Sequence, residues 1–101
     1  MVIKDVLKQL ANQDTNQPSI KIFKKGKDYK VIVLGFKKGM ILKEHSTPIP
    51  AKLVVIEGKV DYKEVDRALV LNKFDELDIP VDVIHAVEAL EDSICFLIQG
   101  A

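Results

Sequence analysis

Apolar residues change their spacing once along this chain, and the change divides it. Ile3, Val6, Leu7 and Leu10 recur three and four residues apart. That repeat lines one face of an α-helix and predicts a helix over residues 2–11. Asn12, Asp14, Asn16 and Pro18 follow, and these side chains favour turns over continued helix. From residue 19 onward apolar positions alternate with polar ones or form short runs. The pattern predicts strands over residues 19–23, 29–36, 52–56, 60–62, 68–71, 77–79, 85–89 and 93–99. Turn sequences such as Lys24-Lys25-Gly26-Lys27-Asp28 and Glu57-Gly58-Lys59 lie between them. Many short strands about ten residues apart argue an all-β sandwich or barrel. Residues 1–18 are read as an N-terminal helix and linker, and residues 19–101 as a single β-barrel domain. The short helical stripe lacks a strongly basic polar face, so it is expected to pack on the barrel or on a partner subunit rather than on a membrane.

Composition narrows the partners. Fifteen basic and fifteen acidic residues cancel among 101. A neutral chain has no long-range field to steer polyanions, so nucleic acid and anionic membranes are not expected partners. The lysines at 21, 24, 25, 27 and 30 are read as a solvated hairpin turn. A lone Cys95 forms no internal disulfide, and neither a membrane-spanning apolar run nor a signal peptide is evident. These features point to a cytoplasmic soluble protein. A chain this short buries a modest core, which makes extra burial in a homodimer an expectation.

The only two histidines, His45 and His85, sit in segments that resemble the two motifs of the cupin family. The first motif reads G-x5-H-x-H-x3,4-E-x6-G. Gly39, His45 and Gly58 match it, whereas Thr47 replaces its second His and Ala51 its Glu. The second reads G-x5-P-x-G-x2-H-x3-N. Pro80 and His85 match, Asp75 agrees with the Gly-Asp that often opens it, and Phe74, Asp82 and Ala89 depart from its Gly, Gly and Asn. The resemblance implies a double-stranded β-helix, or jelly-roll, barrel over roughly residues 30–99. It also implies a cavity lined by alternating residues of segments 39–47, 52–56 and 85–89. Val31, Val33, Leu53, Val55, Leu71, Ile79 and Phe96 are expected to point inward. Ile20, Ile22 and Phe23 are the residues expected at a dimer interface, by analogy with small cupins.

A complete cupin site supplies three imidazoles and a carboxylate to Fe, Mn, Ni, Cu or Zn. Only His45 and His85 carry over as metal ligands. Glu44 and Glu88 are expected on the opposite face by strand alternation. Glu57 is read as a turn carboxylate, and Cys95 as a small buried hydrophobe. Asp75, Glu76 and Asp78 are read as a solvated turn. The expectation is therefore a small-molecule-binding barrel without a complete metal site, its cavity marked by His45, Thr47, His85, Leu53 and Val55. The alternative is a metal-dependent enzyme of dioxygenase or isomerase type that uses His45 and His85. Ser46, Thr47 and Ser93 lack the base and orienting group that would make them nucleophiles.

Overall fold

The computed structural model describes residues 1–100. A helix α1 (Val2–Asn12) precedes nine strands: β1 (Ser19–Lys25), β2 (Tyr29–Phe36), β3 (Ile41–His45), β4 (Ala51–Glu57), β5 (Lys59–Glu64), β6 (Ala68–Asn72), β7 (Glu76–Ile79), β8 (His85–Ala89) and β9 (Ser93–Gly100). They form two antiparallel sheets, ordered β1-β2-β9-β4-β7 and β3-β8-β5-β6. This is the jelly-roll architecture. No helix among the described residues is long and apolar enough to cross a membrane.

Each segment expected to be a strand lies within one, usually extended by a residue or two. β3 is the exception: residues 39–47 were expected to line a cavity but carried no separate strand assignment. Its alternation is masked because Lys43 and Glu44 sit side by side and only Leu42 and His45 are half-buried.

The core lies between the sheets. Leu53 and Val55 of β4, Val60 and Tyr62 of β5, Val87 and Ala89 of β8 and Cys95 of β9 are buried there at alternate positions. Tyr62 is the largest wholly buried side chain. Each fully buried Val or Leu contributes about 1.5–3 kcal/mol relative to exposure.

Three residues expected inside the barrel face outward. Val33 pairs with Phe96, one position out of phase with Leu34 and Cys95. Ile32, Leu34 and Phe36 therefore face the interior, while Val31, Val33 and Phe96 share the outer surface. Val33 is nonetheless fully buried. The helix α1 lies over that outer face, so close that a Cβ on Gly35 would meet Val6 at 2.4 Å and Leu10 at 2.8 Å. Lys21, opposite Val33, reaches Asp5 of the helix at 3.1 Å. A strand covered on both faces loses its polar side, and with it the alternation that tells inside from outside. Phe96 stacks on Phe23 on the same outer surface, with ring centroids 5.4 Å apart.

Candidate functional site

His45 and His85 pair across β3 and β8, and a defect in β3 brings them together. Leu42 lies opposite Val87 and His45 opposite His85. Three residues of β3 thus span what two of β8 span, and the register shifts between Leu42 and His45. In a regular strand, positions three apart face opposite ways. The extra residue, a β-bulge, turns His45 back onto the interior face with Leu42. The two ring centroids stand 4.2 Å apart with their planes at 57°.

Their ring nitrogens are committed in the same way. Nδ1 of His45 lies 2.8 Å from the carbonyl oxygen of Lys43, and Nδ1 of His85 lies 3.0 Å from that of Val83. A carbonyl oxygen only accepts, so each Nδ1 carries the proton and donates it. Each neutral ring then keeps a lone pair on Nε2. Neither Nε2 has a protein partner, and neither is sealed from accessible space. Burial lowers the pKa of His85, and the neighbouring His45 adds to that effect; the Val83 carbonyl and the Glu64 carboxylate oppose it.

Beneath His85 lies a group that sequence reasoning missed. The Tyr62 ring stacks on His85 at 5.7 Å, and its hydroxyl donates to Glu64 Oε2 at 2.5 Å. Glu64 pairs with His85 in the β5–β8 register. Arg67 grips Glu64 with Nε and Nη2 at 2.8 and 2.9 Å and lies over the Tyr62 ring. Hydrogen bonds from Arg67 and Tyr62 hold the Glu64 carboxyl at about 2. Burial and the adjacent carboxylate push the Tyr62 phenol well above its ordinary value. A row of polar side chains therefore crosses one end of the four-stranded sheet: His45, His85, Glu64 and Arg67. Val60, Tyr62 and Glu64 alternate and share one face, which was the available signal. Ending the expected strand at residue 62 hid it.

A cavity of about 430 Å³ opens beside His45, between β1, β2 and β9 on one sheet and β3 on the other. Ile20, Ile32, Leu34, Ile41 and Leu97 supply much of its wall, and His45 lines it together with Gln17, Lys43 and Glu44. His85 lines a smaller recess of about 130 Å³ on the far side of the pair, with Glu64. Leu53 and Val55 point into the same interior from β4 but are packed in the core. Thr47 lies in the loop after β3, where its Oγ1 accepts from the Ile49 amide at 3.4 Å.

The donor set stops at two imidazoles. Ala51 is buried on the inward side of β4 and offers only a methyl group. Glu88 turns outward to Lys63 at 2.8 Å, and Glu57 pairs with Lys73 at 3.2 Å. Asp75 accepts from the Asn72 amide at 2.8 Å in a turn, while Glu76 and Asp78 meet Lys52. Cys95 faces inward, where burial pushes its thiol up to about 12 and keeps it protonated. No three His, Cys, Asp or Glu side chains among the described residues are placed to hold a metal ion together. The residues present do not complete the ligand set that the family resemblance implies.

Backbone geometry supports the motif alignment where the side chains depart from it. Gly39 and Gly58, at the glycine positions of the first motif, both have φ of 90°. Phe74 and Asp82, at the glycine positions of the second, have φ of 74° and 60°. The left-handed conformations persist at all four positions although two have lost their glycine.

This chain has the cupin fold. Solved structures with the same architecture include an RmlC-like cupin from Desulfovibrio desulfuricans, 21% identical, with a TM-score of 0.78 over 86% of this chain and 85% of that one. A cupin superfamily protein from Desulfitobacterium hafniense is 18% identical, with a TM-score of 0.79 over 94% and 87%. A cupin-like protein from Thermotoga maritima is 26% identical, with a TM-score of 0.75 over 82% and 68%. No family model and no curated protein matches the sequence.

Proposed function

We propose that this protein binds a small molecule in the 430 Å³ cavity between β1 and β3, with His45 in its wall and no resident metal. The observation that carries this reading is a pair of imidazoles, each with an open Nε2, beside an apolar cavity with no third donor in reach. Concave, mostly apolar sites with a few convergent polar groups are where small ligands bind. Leu53, Val55 and Thr47, expected in the cavity wall, do not line it, and His85 holds the second ring position. A cytoplasmic homodimer is part of the same proposal. Phe23, about half exposed on the outer face of the edge strand β1, offers apolar contact, whereas Ile20 and Ile22, also expected there, pair with the inward Leu34 and Ile32, and Ile20 lines the cavity. Light scattering of the purified protein tests the dimer.

The second reading, a metal-dependent enzyme of dioxygenase or isomerase type, draws on the two free Nε2 atoms. Metal analysis of protein purified without a His tag separates the two. No uptake of Fe, Mn, Ni, Cu or Zn, even with excess ion at pH 8, supports the metal-free reading. Near-stoichiometric metal that disappears in a His45→Ala, His85→Ala double variant overturns it.

A further inference from the structure

We infer that the cavity selects a ligand with an apolar body and a hydrogen-bond-donating head, a hydroxyl or an amine, and discriminates against carboxylates. This rests on the cavity reading above and specifies the chemistry that the cavity accepts. Both Nδ1 atoms are spent on backbone carbonyls, so each neutral imidazole presents only an acceptor, Nε2. A ligand group in the cavity that reaches the His45 ring therefore meets the lone pair of its Nε2 and must bring the proton itself. A carboxylate brings lone pairs of its own.

The charges around the site point the same way. Arg67 does not line the cavity, and its exposed guanidinium is committed to Glu64. Lys43 and Glu44 line the cavity as an exposed pair of opposite sign, so the rim offers no net positive charge. An anion entering the apolar wall of Ile32, Leu34 and Leu97 would lose its water, and the one cation lining the cavity, Lys43, is solvent-exposed and offset by the Glu44 carboxylate beside it. A neutral donor loses little on entry, and its apolar part gains from burial.

Three probes of nearly one shape test this on the full-length protein at pH 8, where imidazoles are neutral. They are 2-naphthol, its methyl ether and 2-naphthoate, and dissociation constants come from two-dimensional NMR titration. The naphthol should bind about tenfold tighter than either of the others, the worth of one good hydrogen bond. His45→Phe keeps a flat ring but removes Nε2. It should weaken the naphthol to the level of the ether and leave the ether unchanged. In the wild-type protein, naphthoate binding as tightly as the naphthol, or the ether doing so, overturns the donor selectivity while leaving the cavity as a binding site. If none of the three binds, the cavity reading falls as well. The wild-type ranking alone decides the matter if His45→Phe does not fold.

Discussion

Gly39 and Gly58 share a φ of 90° but differ in surroundings, which makes the pair a controlled test of how this fold uses its motif glycines. A Cβ on Gly39 would meet nothing within 4 Å. Gly39→Ala therefore pays only the left-handed backbone penalty, about 1–2 kcal/mol. Stiffening of the unfolded chain returns about 0.4–1 kcal/mol, which leaves a net loss near ~1 kcal/mol. On Gly58 the same Cβ would sit 2.3 Å from the Asp92 carbonyl oxygen and from Ser93 Oγ, and 2.8 Å from the Ser93 Cα. The hydroxyl can rotate away but the backbone atoms cannot, and overpacking of this kind adds about 1–3 kcal/mol. The Ser93 hydroxyl also accepts from the Lys59 amide at 3.0 Å, a bond worth about 1 kcal/mol that the clash disturbs. Gly58→Ala should thus lose about 3–4 kcal/mol. For a domain of this size 1 kcal/mol moves the Tm by about 4–8 °C. Thermal unfolding followed by circular dichroism should show a fall of about 4–8 °C for Gly39→Ala and roughly 12–32 °C for Gly58→Ala. Equal losses, or the larger loss at Gly39, would refute the close approach of the β4–β5 corner to Asp92 and Ser93.

The opposite change at Phe74, where φ is 74° and the side chain is largely exposed, should stabilise. Phe74→Gly is expected to gain about 0.5–1 kcal/mol, whereas Phe74→Ala, which keeps the strain, should not. Urea unfolding of the two variants checks this. Acidification should act in two windows. Burial places the His85 pKa below its ordinary 6.5, so the unfolded chain takes the proton first. The contribution of His85 is complete above pH 6.5 and is lost as pH falls towards the folded value. Glu64, held at about 2 against an ordinary 4.5, contributes fully above pH 4.5 and is lost between 4.5 and 2. A Tm series against pH should therefore flatten just below pH 6.5 in His85→Gln and below pH 4.5 in Glu64→Gln. Unchanged slopes would contradict the burial of His85 and the hydrogen bonds that Arg67 and Tyr62 give Glu64.

Much of the fold was legible because local chemistry and tertiary structure agree. The stripe Ile3, Val6, Leu7 and Leu10 forms the helix, and Val6 and Leu10 are its buried residues. β2 and β8 fall on the residues that their alternation predicted. At the candidate site, His45 and His85 do converge, as their places in the two motifs implied. Glu88 faces outward and Glu57 lies at a turn, as strand parity and turn position implied, because both are local properties.

What could not be read from the chain depends on contacts between distant segments. Val33 and Phe96 have apolar neighbours on both sides, and only the docking of α1 on one sheet face decides which way they point. Tyr62, Glu64 and Arg67 meet locally at the β5–β6 turn, but only the placing of β5 beside β8 brings them to His85. Sequence alone determined the helix, eight of the nine strands, the main turns and the two histidines that mark one end of the barrel. Tertiary structure decided that those histidines face each other. A regular β3 carrying Leu42 inward would have turned His45 to the outside, and parity along one strand cannot reveal a bulge that is defined by its partner.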